Sequence, residues 1–293
     1  MKNILMITPF FAPYSHASVY RAHKFAKYLP RFGWKPYVLT VDKSFTYFID
    51  NALLDDLPKE VEIIRARHID LTYSGFKTLF KKFEALTASD LTAKLVQERK
   101  AGFIKRIINK FRNEFLFLPD RYITWYPAAL KKAKRIADSK HIDIIYSTAP
   151  PFTPHLIAAK LKKLLKIPWV ADFRDPGVDV SHGRLQTSYL RYKIDNLIEK
   201  IIMKNANLIL TASEDTKDLF LSKYEGIVNN KIVNLKHSTD TEILESANLK
   251  KKNKKFTIIF AGEFLQEYSR KLFEFLKVIS LQRGLTTVIP CFS

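Results

Sequence analysis

Apolar residues along this chain fall into short β-branched and aromatic runs that alternate with longer stretches where they recur every three or four positions. The first pattern predicts strands and the second amphipathic helices. The alternation is clearest over residues 142–176. The run at 142–147 is apolar on both faces, which suits a strand inside a parallel sheet covered by helices on both sides. Thr153 then reads as an N-cap, with Pro154 at the first helical position, where its missing N–H is no loss. Leu156, Ile157, Leu161, Leu164 and Leu165 follow at helical spacing, with Lys160, Lys162, Lys163 and Lys166 largely on the other side. Ile167-Pro168 ends the helix and residues 169–173 make the next strand. The whole is a βαβ unit, for which a right-handed crossover is expected.

The flanking chain repeats the theme. Residues 3–8 form an apolar strand, and Val19, Ala22, Phe25, Ala26 and Leu29 make a helical stripe ending near Gly33. Strands are expected at 36–41 and 61–66. The loop after the first strand, PFFAPYSHAS, occupies the place of a dinucleotide-binding G-x-G-x-x-G but has no glycine, so no such site is expected. Downstream, Leu190, Ile194, Leu197, Ile198, Ile201 and Ile202 predict a long helix. A strand at 208–213 follows, with Ser213 capping the next helix, and a further strand at 231–237. The fold class is therefore α/β with an open parallel sheet, assigned to a domain over 1–245. Residues 246–255 are polar, lysine-rich and read as a linker. Residues 256–293 open a second unit with the strand FTIIFAG and a helix carrying Leu272, Phe275, Leu276 and Ile279, too little to bury a core alone, and are expected to be the truncated start of a second domain. Ligands bind such sheets beyond the carboxyl ends of the strands, which directs attention to the loops APPFTPH and DFRDPG.

Charge changes the picture more than composition does. The 293 residues carry a net charge of +20, which points to anionic partners such as phosphorylated substrates or acidic headgroups. Within residues 99–118, Phe103, Ile104, Ile107, Ile108, Phe111 and Phe115 line one helical face among Arg99, Lys100, Lys105, Arg106, Lys110 and Arg112. Two readings stand for this stretch: a basic amphipathic helix at an anionic membrane surface, or an ordinary helix whose stripe packs on the sheet. The single cysteine, Cys291, excludes an internal disulfide and suits a reducing compartment. No apolar run is long enough to span a bilayer and Met1-Lys2-Asn3 leads straight into a strand, so the expected location is cytoplasmic, peripheral at the inner membrane face if the basic stretch binds there. No zinc-finger, RNP or KH-type pattern accompanies the charge, and no nucleic-acid partner is expected.

The stretches ILMITPFFAPYSHASVYRAHKFAKYLPRFGW, LPDRYITWYPAA, IIYSTAPPFTPHLIAAKLKKLLKIPWVADFRDP, ANLILTASE and FTIIFAG together resemble the family-four glycosyltransferases of the GT-B fold, in particular bacterial members acting on cell-surface polysaccharides. The resemblance implies two Rossmann-like domains, the first on the acceptor side and the second binding a nucleotide-sugar donor. It also implies retention of anomeric configuration, a glycan or lipid-linked acceptor, and neither a metal ion nor another cofactor.

Carried onto this sequence, the resemblance places Tyr14, His16 and Arg21 near the acceptor and phosphates, with a solvated charge on the first helix as the alternative for Arg21. Arg174 falls near the position where many relatives have a histidine. A guanidinium cannot act as a base, but it can stabilise a phosphate leaving group. Asp172 and Asp175 are placed to bind sugar hydroxyls or hold Arg174, or simply to cap the loop. His155 is a candidate for acceptor binding, with an ordinary core histidine as the alternative; Gly262 would let a donor approach the backbone, and Arg270 and Lys271 are candidates to meet the donor diphosphate. Tyr14, Tyr20, Trp125 and Tyr126 offer stacking faces for sugars, or else core packing. The departures are as definite. Ser15-His16-Ala17-Ser18 replaces the usual glycine, and His237-Ser238-Thr239-Asp240 stands where relatives carry Asn-Gly before an acid. The E-x7-E element of the donor domain lies beyond residue 293. The expected function is glycosyl transfer impaired by that truncation, with a non-catalytic acceptor-binding subunit needing a separate donor domain as the alternative.

Overall fold

The computed structural model describes residues 1–42, 48–69, 118–179, 188–238, 240, 258–261, 274 and 288–291. Packing divides the chain into two units, Met1–Ser238 and Thr239–Ser293. The first unit runs β1 (Lys2–Ile7), α1 (Ala17–Tyr28), β2 (Trp34–Val41), α2 (Ala52–Asp55), β3 (Glu62–Ala66), α3 (Tyr126–Ser139), β4 (Ile144–Ala149), α4 (Thr153–Leu165), β5 (Trp169–Phe173), α5 (Tyr189–Asn205), β6 (Leu208–Thr211), α6 (Glu214–Lys223) and β7 (Ile232–Asn234). Short 3-10 turns occupy Leu29–Phe32 and Arg121–Trp125.

The seven strands are all parallel, in the order β3-β2-β1-β4-β5-β6-β7. Leu5 pairs with Tyr37 on one side and Ile145 on the other, so β1 is central. Strand order reverses between β1 and β4, the switch point outside which open α/β sheets bind ligands. The doubly apolar runs predicted from sequence explain the layering: Leu5, Met6 and Ile7 are buried on successive faces, as are Ile145 and Tyr146. Among the described residues, Trp125, Trp169, Tyr122, Phe11, Phe173 and Phe220 are the largest side chains withdrawn from water, the phenylalanines each contributing about 1.5–3 kcal/mol by burial.

Local signals set the element ends. Gly33 closes the first helical segment with φ +79°, a conformation that costs glycine little. The Ser213 hydroxyl accepts the Thr216 N–H and caps α6. Thr153, read as an N-cap, lies inside α4 instead, and no side chain of the cap residue Phe152 satisfies the first turn. The carboxylate of Asp120, more than thirty residues earlier, accepts both the Thr153 N–H (2.9 Å) and its hydroxyl (2.8 Å). Asp120 also accepts the Tyr122 N–H at 2.9 Å, so one carboxylate fastens two helical starts together. The strand expected at 231–237 is confined to Ile232–Asn234.

In the second unit β8 (Ile258–Ala261) pairs in parallel with β9 (Val288–Cys291), as Ile258 opposite Val288. The basic stretch at 99–118 lies, up to residue 117, outside the described residues, as do Gly262, Arg270 and Lys271. Among the described residues, no helix is long and apolar enough to cross a membrane.

Candidate active site

At the carboxyl end of the sheet the polar side chains of β4 and β5 separate by strand alternation. Tyr146, Thr148 and Asp172 share the face covered by α1, since Thr148 is the register partner of Asp172. Ser147 lies on the opposite face, under α4. On the α1 face, Asp172 is fully buried and entirely engaged. Arg21 donates from Nε at 2.9 and 3.1 Å and from Nη2 at 2.9 Å, while the Tyr146 hydroxyl (2.7 Å) and Thr148 hydroxyl (3.1 Å) donate to the second carboxylate oxygen. Phe25 lies 5.2 Å from the Arg21 guanidinium, closing the other side. Burial opposes the Arg21 charge, but hydrogen bonds and charge from Asp172 outweigh it and raise the pKa. Burial and the Asp172 charge likewise raise Tyr146 well above the ordinary phenol value, so it is a hydrogen-bond donor. Asp172 and Arg21 thus hold each other beneath the strand ends, so Arg21 is not the solvated charge of the alternative reading and Asp172 grips Arg21 rather than the expected partner Arg174.

Arg174 is treated differently by the fold. Its Nε donates to the Ala149 carbonyl (3.2 Å), Nη1 to the Ser18 carbonyl (2.9 Å) and Nη2 to the Pro150 carbonyl. The side chain thereby ties the end of β4 and the loop after it to the start of α1, across the switch point. Two of its five N–H donors remain, and among the described residues no carboxylate pairs with it. Burial lowers its pKa, countered by the neighbouring Tyr146, Asp172 and Asp175. It remains a cation.

The loop carrying Arg174 is fixed from below by Glu199 of α5, completely buried. Glu199 accepts the Val178 N–H (2.8 Å), the Lys223 ammonium (2.8 Å) and the Tyr224 hydroxyl (2.5 Å). Lys223 bridges on to Asp179 at 2.7 Å, and its pKa is raised because bonds to Asp179 and Glu199 overcome burial. Gly177 is required here: φ is +69°, and an added Cβ would lie 2.0 Å from a Glu199 carboxylate oxygen.

Above these buried groups three exposed side chains border the rim: His16, Asp175 and His237. His16 Nδ1 accepts the Ser18 N–H (3.1 Å), capping α1, so its proton sits on Nε2. Its ring stacks on Phe10 at 5.0 Å. Burial, then the charges of Arg174 and Arg121, lower its pKa and keep it neutral at neutral pH. His237 is lowered by burial and then by Arg21 and Arg174. Asp175 makes no side-chain hydrogen bond among the described residues, and its charge is felt by Arg174. The rim thus gathers a clamped cation, a neutral imidazole with an N–H to offer, and an open carboxylate.

Of the two readings of His155, the structure has the core histidine. It is fully buried on the α4 face, 4.8 Å from the Phe173 ring and 5.9 Å from Trp169. Trp169 Nε1 donates to the Ser147 hydroxyl (2.7 Å), leaving that hydroxyl's hydrogen for His155 Nδ1 (2.7 Å). Burial, with the Arg174 charge, brings its pKa down to about 3, so it is a neutral core residue and meets no acceptor. Tyr14 is half-buried and engaged on the β2–β3 side, its hydroxyl 3.4 Å from the Asp42 carbonyl and its ring 5.8 Å from the Arg65 guanidinium. Trp125 is core, whereas Tyr20 remains exposed.

The groups that sequence reasoning passed over had faint signals. Tyr146 and Thr148 are polar at alternate positions of an apolar strand, Glu199 interrupts the apolar stripe of α5, and Gly177 ends DFRDPG. Among the described residues no three His, Cys, Asp or Glu side chains cluster as a metal site.

No family model and no curated protein matches the sequence. Solved structures do match. Sucrose-phosphate synthase from Thermosynechococcus elongatus superposes with a TM-score of 0.58 at 15% identity, covering 99% of this chain and 62% of that one. A UDP-glucosyltransferase from Polygonum tinctorium capable of glucosylating indoxyl gives 0.56 at 10% identity, over 100% of this chain and 72% of its own. Phytolacca americana UGT2, complexed with UDP-2fluoro-glucose and pterostilbene, gives 0.51 at 11% identity, over 100% and 71%. This chain therefore spans less than two thirds of the synthase it resembles. At such identities the likeness is one of fold, and the fold is the Rossmann-like α/β architecture of GT-B glycosyltransferases, in agreement with the expectation from sequence.

Proposed function

We propose that this chain is a glycosyltransferase that moves a sugar from a nucleotide-sugar donor to a glycan or lipid-linked acceptor, with retention and with protein side chains supplying the positive charge. The observation that carries the reading is Arg174: a cation clamped by three backbone carbonyls at the switch point, with no carboxylate partner among the described residues and two donors beyond those the carbonyls take. Charge grows on phosphate oxygens as a nucleoside diphosphate departs, and a prepositioned guanidinium stabilises that charge without reorganising. His16 offers Nε2–H to the same group or to a sugar oxygen, and Asp175 accepts a sugar hydroxyl. Arg21 and Asp172 act as positioning residues beneath them. Gly262, Arg270 and Lys271, which belong to the second unit, are assigned to the donor.

Thermal unfolding against millimolar UDP-, GDP-, ADP- and CMP-sugars tests this reading. A donor that binds only the folded state stabilises it by about 2.7 kcal/mol at a hundredfold excess over Kd. One nucleotide class should shift the transition, and Arg174→Gln should remove the shift. A folded protein that responds to none of them, and transfers no labelled sugar to a membrane-lipid extract, would overturn the proposal.

A further inference from the structure

The outer side of α4 and α5 presents a surface that the proposed transfer does not use. A groove of about 840 Å³ lies there, with Leu156 and Ile201 among its apolar lining and Lys160, Lys162, Lys163 and Lys166 as its charged groups; among the described residues no Asp or Glu lines it. Lys162 is tied to the Asn205 carbonyl. Lys160, Lys163 and Lys166 are exposed and form no ion pair among the described residues. On the ridges beside the groove Leu164 is 50% exposed, and Leu190 and Leu197 are 57% and 59% exposed. Lys193, Lys200 and Lys204 stand exposed along the same helix as the last two. The acids of α5 do not offset this charge, because Asp195 is paired with Arg191 at 2.6 Å and Glu199 is buried.

We propose that this α4–α5 face docks the protein on an anionic phospholipid membrane. Leu164 and Leu197 stand outside the groove rather than lining it, an arrangement suited to a soft surface that side chains can enter. Lysines at such a face meet headgroup phosphates while their methylene stems lie along apolar surface. The lysines of the groove and of α5 give this face a positive charge complementary to such a surface, in a chain of net charge +20. The inference is independent of the transfer reaction, since docking needs neither donor nor acceptor.

Co-sedimentation of the full chain with vesicles of phosphatidylcholine, alone or mixed with phosphatidylglycerol, tests it. Binding should require phosphatidylglycerol and fall as salt rises. Each lysine at an anionic surface is worth about fivefold, so K160Q/K163Q/K166Q should bind about a hundredfold more weakly. Leu164→Asn with Leu197→Asn should weaken it by at least about tenfold. These positions are exposed, and unchanged thermal unfolding verifies that the variants fold; the salt and lipid dependence of the unmodified protein is a second arm that needs no variant. Absence of binding to phosphatidylglycerol vesicles would overturn the proposal. So would full binding by the triple variant together with loss on neutralising Arg99, Lys100, Lys105, Arg106, Lys110 and Arg112, or lysine-dependent binding to soluble DNA without binding to vesicles.

Discussion

Two arginines lie at the same edge of the sheet and have opposite fates. Arg21 is buried against a carboxylate that two hydroxyls also serve, so its charge is cancelled on the spot. Arg174 is fixed by three backbone carbonyls and, among the described residues, pairs with no carboxylate, so Asp172 and Asp175 act on its charge only at a distance. Its field reaches neighbouring imidazoles, lowering both His16 and His155 after the effect of burial. A neutralised ion pair stabilises geometry, whereas a cation fastened by carbonyls is available to an incoming anion. That difference separates the frame of this site from the group we assign to chemistry.

The sharpest way to break the comparison is Asp172→Ala. It strands the Arg21 charge in the interior, and a loss of about 3–5 kcal/mol in urea unfolding is expected. A double-mutant cycle with Arg21→Met should recover part of that loss, while one with Arg174→Gln should be close to additive.

Acid comes next. The unfolded His155 takes up a proton near pH 6.5 and the folded one near 3, so its contribution is complete above the first value and is lost as pH falls toward the second. Over that window a few kcal/mol should disappear. His23, buried and lowered first by desolvation, acts with the same sign. His155→Leu should flatten the slope, and Arg174→Gln should shift the His155 titration upward, which NMR of the ring would register.

Gly177→Ala tests the support under Arg174. With φ +69° and Glu199 in the way, it should cost about 1–3 kcal/mol and weaken any donor-induced stabilisation as well. Arg174→Gln, which can keep only part of the three-carbonyl clamp, should cost about 1–3 kcal/mol in stability and remove the donor response altogether. The smallest effect is expected for Lys217→Ala: its partner Glu214 is exposed and the pair is screened by water, so the unfolding midpoint should not move measurably.

Much of the frame was legible along the chain. Runs such as ILMI and IIYSTA are apolar on both faces, and that pattern has few stable outcomes besides a covered parallel strand. Ser213 before a helix and Gly33 after one act over three or four residues, a range that sequence displays directly. The strand-end loops likewise located the rim holding Arg174 and Asp175.

Roles within those loops were not legible. Asp172 and Asp175 sit in one five-residue motif, yet one is sealed against Arg21 from 151 residues away and the other is open to water. His155 follows a loop that reads as a ligand site, but its helical turn carries it to the opposite face, beneath Ser147 and Trp169. Thr153 looks like a cap and is itself capped by Asp120. The sequence by itself determined which segments are strands and helices, which of their faces are apolar, the excess of positive charge and where the ligand rim must fall. Tertiary structure alone decided which charges are cancelled. Periodicity encodes the direction a side chain takes from its own element, but partners distant in the chain are chosen by strand order and register.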